Sequence, residues 1–188
     1  MRTLSVFNHV SLDGYFTDSS GGLAWAFGDK QDAEFNAFTE GNAKGGGQLL
    51  FGRATYDLMT RYWPTPLALQ QQPVVAERMN NLPKVVFSRS LDKASWNNTL
   101  LVKGHLPSAV RKLKSESGPG LVIFGSGTII SQLAQEDLID EFQFVVNPVV
   151  LGAGRTMFDG VTKKLNLGLV ETRHFASGKL FLRYQLAA

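Results

Sequence analysis

Three places in this chain put small or cationic residues directly after a short apolar run. Gly52-Arg53-Ala54-Thr55 follows Gln48-Leu49-Leu50-Phe51, Ser88-Arg89 follows Lys84-Val85-Val86-Phe87, and Gly125-Ser126-Gly127-Thr128 follows Leu121-Val122-Ile123-Phe124. Each apolar run has the length and residue content of a buried strand. Two of the segments then enter stretches of helical period, residues 53–60 and the run after Gly127. Glycine between a strand end and a helix start lets backbone approach a ligand closely. The first-turn N–H groups of a helix lack partners within it and favour an anion. Arginine adds a cation that can grip phosphate through paired hydrogen bonds. Together these residues could hold a pyrophosphate and one further phosphate, the polar part of a nucleotide cofactor.

Each segment alone has a simpler account. A tight strand-to-helix turn explains Gly-x-Gly, Arg53 suits the exposed side of a helix, and Ser88-Arg89 suits a strand end. The dinucleotide fingerprint needs a third glycine where this chain has Ile130. Asp140 and Glu141 stand at a tempting distance for a ribose carboxylate, but the segment reads more simply as a turn entering a strand. Place favours the joint reading, because ligands of open α/β sheets sit beyond the carboxyl ends of the strands. A 2′-phosphate needs a cation, whereas free ribose hydroxyls are usually held by a carboxylate. Arg53 and Arg89 without a well-placed acid therefore favour NADPH.

The elements that must position these residues follow from periodicity. Residues 4–12 read as a strand ending at the Asp13-Gly14 turn. Residues 32–43 read as a helix, 62–72 as a loop holding Pro64 and Pro66, 100–103 as a strand and 107–117 as a helix. A strand runs on from Asp140, and residues 167–175 and 179–186 form a closing hairpin around Ser177-Gly178. Strands alternating with helices predict a parallel sheet covered on both faces, with an antiparallel C-terminal edge.

With 188 residues, 44% hydrophobic and 19% charged, the chain suits one globular domain. Its net charge of +3 is scattered, and Arg111, Lys112 and Lys114 read as the solvated side of a helix, so no nucleic-acid partner is expected. The absence of cysteine excludes disulfides and thiolate metal sites, and fits a reducing compartment such as the cytoplasm. His105 and His174 stand apart without metal-ligand spacing, so no metal is expected. No segment reads as a signal peptide or approaches the roughly 18 apolar residues of a membrane span.

The order SLDGY, LLFGRATYDLM, VVFSRSL, VIFGSGTIISQL, LIDEF and NPVVLGAGRTMFDG resembles the dihydrofolate-reductase-like superfamily, and within it the RibD C-terminal reductase family. The resemblance spans nearly the whole chain. It implies a three-layer α/β fold, an eight-stranded mixed, mostly parallel sheet with helices on both faces, and NADPH as hydride donor. By position, Gly52, Arg53 and Thr55 would face the cofactor phosphates and Ser88 and Arg89 the adenosine 2′-phosphate. Gly125, Ser126, Gly127, Thr128 and Ile129 would cover the pyrophosphate, and His9, Val10 and Phe16 would approach the nicotinamide. Gly125-Ser126 stands where dihydrofolate reductases themselves have Gly-Gly.

Reducing a ketone or imine also takes a proton, so a general acid is sought. The resemblance points to a carboxylate on the helix after the first loop, where Asp32 and Glu34 are the candidates; both also suit the start of a helix. Asp13 is a third candidate, although Asp-Gly is a turn dipeptide. His9 either relays a proton or packs. The expected activity is reduction of a small pteridine-, pyrimidine- or riboflavin-precursor-like carbonyl or imine compound. The zinc deaminase signature of the bifunctional riboflavin enzyme is absent. The rival expectation is a nucleotide-binding protein that has lost turnover. A homodimer is expected from the resemblance and from the apolar strands FQFVV and LFLRY.

Overall fold

The computed structural model describes residues 1–27 and 32–187. Eight strands form one sheet: β1 (Leu4–Ser11), β3 (Gln48–Gly52), β4 (Lys84–Phe87), β5 (Thr99–Val102), β6 (Leu121–Phe124), β7 (Glu141–Asn147), β9 (Leu167–His174) and β10 (Leu180–Leu186). Their order is β5-β4-β3-β6-β1-β7-β10-β9. Pairing is parallel from β5 through β7, and β10 runs antiparallel to both β7 and β9. This is the expected mostly parallel sheet with an antiparallel C-terminal edge.

Alternation along β3 shows how the sheet acquires two cores. Leu49 and Phe51 point to one face and Leu50 to the other. On Leu50's side, Leu4, Val6, Ile123 and Phe142 pack with Val110 of α5 (Leu106–Ser115) and Ile130 and Leu133 of α6 (Gly127–Gln135). On the other, Leu49, Phe51 and Val86 pack with Tyr56 of α2 (Arg53–Tyr62) and Met79 of α4 (Pro73–Asn81). Further along that face Val145 and Phe181 meet Phe35 of α1 (Ala33–Lys44). The three layers follow from strands that are apolar on both sides.

Two expectations need correction, and one element goes beyond them. Residues 62–72, read as loop, contain the helix α3 (Pro66–Gln71): Thr65 caps it by accepting from Ala68 N–H at 3.2 Å, and Pro66 sits in its first turn, where proline sacrifices no helical bond. The Gly-rich bend after β7 holds a short strand, β8 (Gly154–Thr156), which pairs antiparallel with β2 (Tyr15–Asp18) as a separate ribbon. Finally, FQFVV and LFLRY lie in β7 and β10, which are interior strands with Phe142, Val145 and Phe181 buried in the core. The strand at that edge is β9, where Leu169 and Val170 are exposed.

Candidate functional site

After β1 the chain moves sideways to β3, β4 and β5, and β6 then returns to the gap between β3 and β1. This crossover sets the carboxyl ends of β3, β6 and β1 side by side, the place where open α/β sheets take ligands. Helices α2 and α6 begin at the ends of the neighbouring strands β3 and β6, and neither has a side-chain N-cap. α5, which begins after β5, is likewise uncapped. Their first-turn N–H groups are thus left for an anion.

Side chains lock this rim together. Gly52 N–H donates to Ser126 Oγ at 2.8 Å, and the Ser126 hydroxyl donates to Thr55 Oγ1 at 2.9 Å, tying the start of α2 to the start of α6. Ser126 itself holds a left-handed conformation, φ 62°. Asn8, buried in β1, accepts from Gly125 N–H at 2.6 Å. It was missed by sequence reasoning; its signal is a lone amide inside an apolar strand. A Cβ on Gly125, whose φ is +57°, would lie 2.8 Å from Thr55 Oγ1, and one on Gly127 would lie 3.1 Å from the Phe16 ring. Both glycines therefore answer to close protein contacts at the turn, a requirement the expectation of ligand approach did not include.

The rim opens into a cleft of about 1170 Å³. It brings together His9, Phe16, Gly52, Arg53, Thr55, Ser88, Arg89 and Gly125, Ser126, Gly127, Thr128 and Ile129. Val10 is not among its walls: it alternates with His9 along β1 and packs against the core on the other face. Arg53 Nε bonds Asp57 of its own helix at 2.6 Å, with both side chains well exposed. Arg89 is exposed and forms no ion pair with the described residues. Ser88 Oγ accepts from Leu91 N–H at 3.0 Å and so shapes the turn that presents Arg89.

None of the three proposed acids lines the cleft, and each is placed elsewhere by a hydrogen bond or by exposure. Asp13 accepts from the Ser11 hydroxyl at 2.6 Å and from the Leu151 and Gly152 N–H groups, which pins the turn after β1; these bonds hold its carboxyl below the usual range, Ser11 foremost. Asp32 is the N-cap of α1, accepting from Phe35 N–H and from Ser177 N–H, each at 2.9 Å. Ser177, then Phe35 N–H, pulls its carboxyl down to about 2. Glu34 is exposed in the first turn of α1. Among the described residues Asp57 is the one carboxylate on the cleft, and it is bound to Arg53.

The end of the cleft beneath α1 is aromatic. Phe7 pairs in register with Phe124 on β6 and Gln143 on β7, and its ring lies 5.6 Å from that of Phe124 and 6.0 Å from that of His9. Phe27 lies 5.0 Å beyond His9. Thr39 and Asn42 of α1 and Val75 and Met79 of α4 also border the cleft. Burial, with the Lys179 ammonium adding to it and the Asn147 amide opposing it, pushes the His9 imidazole down to about 4. The ring is therefore neutral at pH 7.

Comparison with known proteins agrees with this architecture. The uncharacterized protein YyaP of Bacillus subtilis (strain 168) is 29% identical over 175 residues, spanning 93% of this chain and 90% of that one. A Shewanella sp. PV-4 protein named for riboflavin biosynthesis superimposes with a TM-score of 0.74 at 24% identity, over 99% of both chains. Dihydrofolate reductase from Enterococcus faecalis, in complex with NADP(H), gives 0.65 at 14% identity, over 99% of this chain and 97% of that one. At such identities the two structures bear on fold alone, and the fold is dihydrofolate-reductase-like. The sequence model of the RibD C-terminal domain matches residues 2–181, and with the fold and its rim of uncapped helix starts described, the chain belongs to the RibD C-terminal domain family.

Proposed function

We propose that this protein is an NADPH-dependent reductase that transfers hydride to a small carbonyl or imine compound of pteridine-, pyrimidine- or riboflavin-precursor type. One observation carries the reading: the uncapped starts of α2 and α6, locked side by side through Ser126, open into a cleft whose other end is a slot of aromatic rings. The first end suits a dinucleotide's phosphates, and the second suits flat rings. Membership of a reductase family supports the same reading.

When bound, the reduced nicotinamide supplies the hydride. This chain's residues bind and orient. N–H groups at Gly127, Thr128 and the first turn of α2 would hold the pyrophosphate, and Arg53, Ser88 and Arg89 the 2′-phosphate. The rings of Phe7, Phe27 and Phe124 would keep water from the reacting atoms, which strengthens every polar contact there. Titration of the purified protein with NADPH and NADH, followed by oxidation of NADPH with a panel of cyclic ketones and imines, tests this. Tighter binding of NADPH and turnover of at least one compound are expected; equal binding of both dinucleotides would defeat the NADPH assignment.

A second reading, a nucleotide-binding protein without turnover, draws on the absence of Asp13, Asp32 and Glu34 from the cleft walls. NADPH binding with no oxidation across the panel would favour it. We also propose a homodimer, for which the exposed Leu169 and Val170 on β9 offer an apolar edge. A monomer mass in sedimentation at micromolar concentration would overturn that. The compartment proposed is the cytoplasm; among the described residues no helix is long and apolar enough to cross a membrane.

A further inference from the structure

On the strands that floor the cleft, most polar side chains are already spent within the protein. Ser5 Oγ donates to Leu121 O at 3.3 Å. The Asn8 amide bonds the backbone of Gly125 on both its sides. Gln143 donates to Glu141. His9 differs. Its Nδ1 faces Asn147 Nδ2 at 3.4 Å. That amide's orientation is set by two carbonyls, Val145 O at 3.0 Å and Val10 O at 3.2 Å, both of which need its N–H side. Those carbonyls take the amide's two hydrogens, and the nitrogen that carries them offers Nδ1 no acceptor, so a proton on Nδ1 would go unbonded and the ring proton sits on Nε2. Nε2 has no partner among the described residues.

The surroundings of His9 state what its proton would meet. The ring stands at the edge of the row Phe124, Phe7 and His9, with Phe27 on its far side. Among the described residues, the charged groups on the elements packed around it are Lys179, just before β10, and Asp32 at the start of α1; Lys179 acts on both. Among the described residues, arginines 53, 61, 78, 89 and 155 line the cleft against the one carboxylate of Asp57, so a cationic ring would be repelled. Flat aromatic walls and one neutral N–H donor select a planar, uncharged molecule with an acceptor atom at its edge.

We infer that His9 is a catalytic residue, its Nε2–H bonding to the carbonyl oxygen or imine nitrogen of a planar, uncharged heterocycle that lies over Phe7 and Phe124. This rests on the reductase reading and names its substrate class and its electrophile. The acceptor's C=O or C=N π bond breaks as its carbon takes hydride from the reduced dinucleotide, which is oxidised. Negative charge then grows on the oxygen or nitrogen, which takes the Nε2 proton, and water returns a proton to the imidazole. A neutral imidazole acting as electrophile in this way has precedent in triosephosphate isomerase.

The test uses the whole chain as wild type, His9→Phe and His9→Gln, with NADPH and isatin as a planar, uncharged carbonyl probe. His9→Phe is expected to lower kcat on the order of 10²-fold, the usual contribution of a positioned proton donor. Its melting temperature and its NADPH Kd should stay near those of the wild type. His9→Gln keeps an N–H donor and should retain more activity than His9→Phe. Independently of turnover, 15N NMR of the imidazole at pH 7 should show the neutral Nε2–H tautomer, with Nε2 shifting as isatin is added. A wild-type kcat in His9→Phe overturns the inference, as does a protonated ring, an Nδ1–H tautomer or an Nε2 signal indifferent to isatin. Failure of the wild type to bind NADPH would instead defeat the reductase reading, and the NMR response to isatin would still decide the role of His9.

Discussion

At the carboxyl ends of β3 and β6 the cleft is walled by backbone, and beyond β1 it is walled by rings. The first region consists of two glycine-bearing turns, helix starts and short hydroxyl side chains, bonded at 2.8 and 2.9 Å through Ser126. The second consists of Phe7, His9, Phe27 and Phe124, drawn from two strands and a loop and touching at centroid distances of 5.0 to 6.0 Å. The end at β3 and β6 depends on conformations that only particular backbones tolerate, so it is rigid and intolerant of change. The ring end depends on area and shape, which substitution can trim without loss of the fold. Under the proposed function, binding of the invariant part of a cofactor and choice of a substrate would fall to these different kinds of structure.

The sharpest way to break that contrast is Gly125→Val. A β-branched residue would have to hold φ +57° with its Cβ 2.8 Å from Thr55 Oγ1. Roughly 3 kcal/mol of stability should be lost, together with NADPH binding. Thermal melting and cofactor titration on one sample check both halves, and a variant that melts normally and still binds would show that the turn is not a rigid element. Gly127→Val is the gentler companion, since its Cβ meets the Phe16 ring at 3.1 Å and a ring can shift; it should lose binding with a smaller loss in melting temperature.

Next in size is Arg89→Ala. The loss expected for NADPH is about 1.5–3 kcal/mol, with little for NADH. Arg53→Ala should discriminate less, because Asp57 already holds that guanidinium at 2.6 Å. Titrating both variants with both dinucleotides ranks the two arginines, and equal losses for NADPH and NADH in Arg89→Ala would remove it from the 2′-phosphate site.

Lys84→Met addresses the wall of the ring end. Lys84 is 1% exposed and donates to Met79 O, Asn80 O and Leu82 O at 2.7 to 3.0 Å, closing the C-terminus of α4, while its ammonium lies 4.6 Å from the Trp96 ring centroid. Losing the donor should cost about 1–2 kcal/mol and leave NADPH affinity unchanged. Burial pulls the Lys84 ammonium down to about 8 from 10.5, against the pull of those three carbonyls. Between these values the unfolded chain binds more protons than the folded one, so this group makes stability rise with pH from about 8 to 10.5 and fall as pH drops back through 8. Urea melts of wild type and Lys84→Met across that window should differ in slope; parallel curves would mean that the carbonyls keep Lys84 charged throughout.

The smallest effect is expected from Asp32→Ala. Its folded value near 2 against 3.8 means that it stabilises the fold above pH 3.8 and that this support is lost as pH falls from 3.8 toward 2. The variant should melt earlier at pH 7, show a shallower acid transition, and keep its kcat. A fall in kcat with unchanged melting would return Asp32 to the catalytic candidates.

Much of the rim at the ends of β3 and β6 is legible in the sequence. The runs before Gly52, Ser88 and Gly125, and the helical periods after two of them, are local patterns, and local patterns set strand, helix and the turn between them. Those segments were recognisable because their chemistry resides in consecutive backbone groups. The ring end was less legible. The Phe7, Phe124 and Gln143 row requires β6 to enter between β3 and β1, a choice of pairing that no single segment encodes. The Asn8 clamp on Gly125 spans 117 positions of chain. The three candidate acids lie off the cleft walls for a related reason: whether a carboxylate faces a cleft or an N–H depends on which backbone the fold delivers to it. Asp32 met Phe35 and Ser177, and Asp13 met Leu151 and Gly152, the distant partners in each case lying well over 100 residues away. Hydrogen-bonding groups with local partners announce themselves in sequence, whereas those satisfied across the sheet are settled only when the strands have taken their order.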